Sequence, residues 1–205
     1  MRKSLKETLS GSTADLAEEL WQEIVNLGVM LSVQKLFFGN PLSIELLNQS
    51  DSGFFGQVQD LINRELVLSA CRLLDPAESR VRGEWVPNAT LAQLQKRLEN
   101  DGHTDASECL KQDINELNPK CEPFREIRNK VLGHLDFAVT VEKAKLPTVL
   151  DLALIEVIEG IFTALNHVED AMSARITDLS EGVVPQPGER LLSILRRASE
   201  DHRGR

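Results

Sequence analysis

Between Leu150 and Ile176 an apolar side chain returns every three or four residues: Leu150, Leu154, Val157, Ile158, Ile161, Leu165, Val168, Met172 and Ile176. A stripe with that period lies along one face of an α-helix, whereas a strand would need a period of two. The same spacing governs Leu16, Leu20, Ile24, Leu27, Leu31 and Phe37, and again Phe54, Val58, Leu61, Ile62, Leu66, Leu68 and Leu73. A further run, Phe124, Ile127, Val131, Leu132 and Leu135, precedes the Leu150 stripe. One-sided helices hide their stripes against one another. The expected fold is therefore all-α, an antiparallel four-helix-bundle core with short accessory helices. No alternating strand, internal repeat or low-complexity tract competes with it.

Turn and cap residues divide these runs. Ser12 with Asp15 resembles a capping box opening the first long helix, which Gly39-Asn40-Pro41 stops. A short piece, Leu42 to Leu47, leads to Asp51-Ser52, a cap for a second long helix from about Gly53 to Leu74, closed by Asp75-Pro76. Residues 76–89, with Pro76, Gly83 and Pro87, read as a surface loop anchored by Trp85. Thr90 with Gln93 opens a helix to about Glu99, ended by Asn100-Asp101-Gly102. Thr104 to Leu117 reads as a polar helix with few apolar contacts, and Asn118-Pro119 starts the next segment, regular from Pro123. Thr148 with Asp151 starts the last long helix, running to about Leu179. Gly182 to Gly188 is a linker, and Glu189 to Ser199 a short amphipathic helix that docks on the body or on a partner. The domain reading is one helical domain over 1–181, then a linker, short helix and tail over 182–205.

A chain of 205 residues suffices for one sizeable core. No run of about 18 apolar residues could span a bilayer, and Met1-Arg2-Lys3-Ser4 precedes charged sequence rather than the apolar stretch of a secretory signal. A soluble cytoplasmic protein is expected, with no membrane partner. Cys71, Cys109 and Cys121 are odd in number and widely spaced, which supports neither a disulfide framework nor a zinc site; they read as ordinary buried or half-buried thiols. The formal charge of -9 argues against a protein that coats nucleic acid by bulk attraction. Any polyanion must meet a local patch, and residues 118–145 offer one: Lys120, Arg125, Arg128, Lys130, Lys143 and Lys145 outnumber Glu122, Glu126, Asp136 and Glu142.

The polar residues embedded in the Phe124–Phe137 stretch are the chemical candidates. An Arg followed by four to six residues and a His arises about once by chance in a chain of this composition. Arg97 to His103, and Arg196 or Arg197 to His202, are such coincidences, in a turn and at the terminus. Arg128 differs: Asn129 follows it directly, an apolar helical stripe carries it, and Asp136 lies two residues beyond His134. Histidine exchanges protons near neutrality and Arg offers a permanent forked donor for phosphate. Arg128-Asn129-Lys130-Val131-Leu132-Gly133-His134-Leu135-Asp136 resembles the signature of the HEPN superfamily, closest to its abortive-infection-protein branch, with Gly133 where Ala is usual. The resemblance extends, more loosely, to a long helix over Gly53–Asp75 ending in Arg72-Leu73-Leu74-Asp75, and spans about residues 13–180.

That resemblance implies a homodimer whose Arg128–His134 faces meet across a cleft and cut RNA without a metal or other cofactor, in a toxin-antitoxin or phage-defence role with an antitoxin as a further partner. Arg128 would grip the scissile phosphate, His134 would move the proton of the 2′-hydroxyl or of the leaving oxygen, and Asn129 would orient the site. Lys130, Arg125 and Asp136 would flank the substrate, Asp136 as a cap or orienting group. On an ideal helix six residues place Arg128 and His134 about 120° apart. Either Arg128 reaches round, the helix distorts near Gly133, or the partner supplies one group. The alternative is a non-catalytic HEPN-like module binding nucleotide, RNA or protein. In the blander readings Arg128 pairs with Glu126 or with a core-edge carboxylate on another helix, His134 closes a helix end, His167 is packing or solvent-facing, and Asp75 merely ends its helix.

Overall fold

A computed structural model describes residues 5–132, 151–172 and 187–203. Among these the order is α1 (Leu5–Thr8), α2 (Gly11–Phe38), α3 (Pro41–Leu73), β1 (Glu78–Val81), β2 (Glu84–Pro87), α4 (Leu91–Asn100), α5 (Thr104–Ile127), a π-helical turn (Arg128–Leu132), α6 (Asp151–Ala171) and α7 (Glu189–Arg203). The fold is all-α with one small hairpin. The four long helices, α2, α3, α5 and α6, share one core; most of the expected stripe residues on α2, α3 and α6 lie in it, but Phe54 and Leu61 on α3 are exposed. Ile24, Leu66, Leu110, Ile158, Ile161 and Leu165 are among the core's fully enclosed side chains.

Helix α3 bends at Asp51, whose backbone is extended (φ -166°, ψ 92°). The Asp51 carboxylate accepts the Phe54 N–H at 2.9 Å and so caps the longer half, as the sequence predicts. Asn40 caps the shorter half through Leu42 N–H, with Pro41 in the first turn. Thr90 Oγ1 likewise accepts Gln93 N–H at 3.2 Å to open α4.

Three expectations are corrected. The first long helix starts at Gly11 rather than at a Ser12 box, and the Ser12 hydroxyl instead accepts a hydrogen bond from Arg97. Residues 76–89 form an antiparallel hairpin, with Arg80 opposite Trp85, turning on Arg82 (φ 52°) and Gly83 (φ 95°). Two positive φ values match the twist of a two-residue hairpin turn. Trp85 is 68% exposed and is no buried anchor among the described residues. Asn88 fixes the hairpin's base by donating to the Pro76 carbonyl and the Ser79 hydroxyl.

The third correction bears most on the site. Thr104–Ile127 is one continuous helix with Pro119 and Pro123 inside it, and it lies in the core. Its buried face runs Ser107, Leu110, Ile114, Leu117, Cys121 and Phe124, at alternating steps of three and four. The two prolines remove helical donors to the carbonyls of Asn115 and Pro119, both on exposed residues where solvent can satisfy them. Helix α5 packs most extensively on α6, antiparallel to it. Gly160 lets the two approach closely, since a Cβ there would run into the Leu117 side chain.

Helix α7 docks on the body. Leu192, 2% exposed, joins Phe37, Leu46, Leu47 and Phe55 in a second small cluster. The Thr148 start of α6, its extension to Leu179 and the linker from Gly182 lie outside the described residues.

Candidate functional site

Helix α3 ends beside the C-terminal part of α5, and there its last residues meet the predicted arginines. The Arg128 Nη1 donates to both Asp75 carboxylate oxygens, at 2.9 and 2.7 Å. Both side chains are largely enclosed, 22% and 27% exposed. Burial opposes the Arg128 charge, but the Asp75 carboxylate outweighs it, so the guanidinium holds its proton even more firmly than usual. The core-edge carboxylate on another helix thus exists, and it is Asp75 rather than Glu126. Asp75 does more than end its helix. Its cue was present in the Arg72-Leu73-Leu74-Asp75 stretch, but a residue before proline reads first as a stop signal.

Arg125 lies one turn earlier, and the fold absorbs its donors. Nη2 donates to the Leu74 carbonyl at 2.6 Å and to Asn118 Oδ1 at 2.7 Å, and Nη1 to the Asn118 carbonyl and Glu122, each at 3.3 Å. Its Nε sits 4.0 Å from Asp75. Arg125 is a strut between α3 and α5. It satisfies the carbonyl of buried Leu74, which has no helical partner at the end of α3, and it lies beside Asp75.

Immediately after this strut the backbone widens into the π turn over Arg128–Leu132. Such single wide turns inside helices recur at functional sites. Within the described residues of this segment the departure from α-helical geometry starts at Arg128 itself. Asn129 is exposed and accepts the Arg128 Nε–H at 3.1 Å, so it steers the guanidinium directly. Lys130 pairs with Glu126 along the same helix. His134, Gly133 and Asp136 lie outside the described residues. No hydrogen bond or ion pair among the described residues engages Arg128 Nη2.

A depression of about 490 Å³ opens on this cluster. Leu74, Pro76, Ala92 and Ile114 supply its apolar wall, and Asn118, Glu122 and Arg128 reach its rim. Behind it, Cys71 and Cys121 are fully buried with sulfurs 3.9 Å apart. The hydrogen bond to Cys121, then burial, pushes the Cys71 thiol up, so it stays protonated and inert. Cys109 is half-buried.

The remaining histidines fall elsewhere. His167 Nδ1 bonds both oxygens of Asp113, at 2.9 and 3.1 Å, tying α6 to α5 with half its side chain exposed. His103 precedes the first turn of α5. Among the described residues no group of three or more His, Cys, Asp or Glu side chains gathers to hold a metal ion, and no helix is long and apolar enough to cross a membrane.

The all-α bundle fits the HEPN helical fold. The chain belongs to the HEPN AbiU2 family, whose model matches residues 11–184. That match places it among HEPN domains related to abortive infection. No curated protein and no solved structure matches it.

Proposed function

We propose that this protein is a metal-independent endoribonuclease acting as a homodimer, with Arg128 and His134 as its catalytic pair, in a toxin-antitoxin or phage-defence system. The observation that carries the reading is Arg128: a guanidinium fixed by Asp75 and Asn129 that lines a depression, with Nη2 unengaged among the described residues, six residues before a histidine in the sequence. A fork so held is pre-organised for the charge that builds on a phosphate in the transition state. In the reaction the 2′-oxygen of the ribose bonds to phosphorus as the bond to the 5′-oxygen breaks. His134 takes the proton from the first oxygen or gives one to the second. The products are a 2′,3′-cyclic phosphate and a 5′-hydroxyl.

In this reading Arg128 neutralises the developing phosphate charge and Asn129 keeps its fork in plane. Arg125 frames the site, while Lys130 and Asp136 stand beside the substrate. The partner copy brings a second Arg128–His134 face across the cleft. The net charge of -9 confines RNA to this local region.

The test is purified protein with mixed RNA in EDTA. Wild type is expected to cut and leave cyclic phosphate ends, and His134→Ala to leave the RNA whole. Equal survival of RNA with both proteins rejects the nuclease.

The second reading, a non-catalytic module binding nucleotide, RNA or protein through the same depression, draws support from the Asp75 carboxylate, which already neutralises Arg128. It predicts RNA binding without cleavage, with an antitoxin or other protein as the natural partner. Cleavage abolished by Arg128→Ala, with fold and dimer mass unchanged, counts against it.

A further inference from the structure

The depression beside Arg128 has a chemical character that the nuclease reading does not use. Its wall is apolar, from Leu74 and Pro76 at the end of α3, Ala92 on α4 and Ile114 on α5. A flat, weakly polar group could lie against such a wall out of water. Its rim carries two groups of opposite kind. Glu122 gives Oε2 to Arg125 at 3.3 Å, and Oε1 makes no hydrogen bond among the described residues. Asn118 spends its Oδ1 on Arg125, and its Nδ2 likewise makes none. Arg128 Nη2, at the end nearest the π turn, is the remaining open donor. Together these describe a ligand with an anionic group at one end, a planar body in the middle and an N–H donor at the other.

We infer that this depression is a nucleobase subsite selecting a base with an exocyclic amine, the amine donating to the Glu122 carboxylate while the attached phosphate meets Arg128. A carboxylate accepts from the amino group of cytosine and has nothing to accept from the corresponding carbonyl of uracil. Instead it faces that carbonyl oxygen with its own charge, so rejection of uracil comes from repulsion as well as from a missing bond. The inference takes its ligand class from the ribonuclease reading, but it concerns binding, and it can stand or fall separately.

Cytidine and uridine monophosphates differ only at the 4-substituent and the protonation of the adjacent N3, so they make a close pair of probes. Titrated against the full-length protein by calorimetry, the cytidine nucleotide is expected to bind roughly tenfold tighter. Glu122→Ala, at a side chain 74% exposed, should leave the fold intact and make the two affinities equal. Ala92→Phe, which fills the wall, should weaken both. Equal affinities in the wild type, a preference that survives Glu122→Ala, or no binding of either nucleotide would overturn the subsite. Cytidine preference with RNA left intact in EDTA would sink the nuclease and keep the subsite. RNA cutting without base preference would do the reverse.

Discussion

At the scale of single residues the arrangement turns on one shared carboxylate. Asp75 holds Arg128 directly and faces Arg125 at longer range, while Arg125 spends its donors on the ends of α3 and α5. Replacing Asp75 by Ala leaves the partly buried Arg128 guanidinium without its counter-charge, while Arg125 keeps Glu122, and stability should fall by about 1–3 kcal/mol. Urea unfolding measures that loss as a lower midpoint. Arg128→Lys separates structure from chemistry: an ammonium can still pair with Asp75, but it lacks the fork that also reaches Asn129. Its urea midpoint should stay near wild type while RNA cleavage drops by about 10²–10³-fold, the usual loss when one positioned donor is removed. Cleavage retained within a few-fold would show that charge alone suffices and that the fork is incidental.

At the scale of elements, α5 is the least obvious from sequence and the most consequential. Its buried face includes Ser107 and Cys121, which are polar or neutral, and Pro119 and Pro123 read as the start of a new segment, so local rules cut it in two. Packing on α6 overrides both signals, because the buried Leu110, Ile114, Leu117 and Phe124 must stay on one continuous rod to meet the facing stripe. The bend in α3, in contrast, is written locally. Asp51→Ala removes the cap on Phe54 N–H and should cost about 1 kcal/mol, seen in thermal or urea melts. Helix α7 is joined to the body through Leu192. Leu192→Ser should release it, so that limited proteolysis cuts within residues 189–203 faster, while α2, α3, α5 and α6 are cut no faster than in wild type. If the cut rate is unchanged, α7 is held by more than this anchor.

At the scale of the whole molecule the excess of acid limits how RNA can be held. A protein of charge -9 that binds through a few basic groups should contact few phosphates. Binding to single-stranded RNA should therefore weaken only gently with salt, with a log–log slope between about -1 and -3. Filter binding across a range of salt concentrations measures this, and a slope steeper than about -5 would point to a broader basic surface. Sedimentation at micromolar concentration tests the dimer on which the proposed cleft depends: a monomer at all concentrations would leave each Arg128 with only its own chain's groups.

The amino-acid sequence by itself determined the all-α class, three of the four long helices, the caps at Asp51 and Thr90, and the candidacy of Arg128 and Asn129. Each of these rests on spacing or on side chains acting within a few residues of themselves. Only the tertiary structure decided that α5 runs unbroken, that Arg82-Gly83 turns a hairpin, and that Asp75 reaches across to Arg128. The reason is range: a periodic stripe or a cap is complete within one or two turns of helix. A partner 53 residues away in the chain becomes a neighbour only when the buried faces of α3 and α5 have locked together.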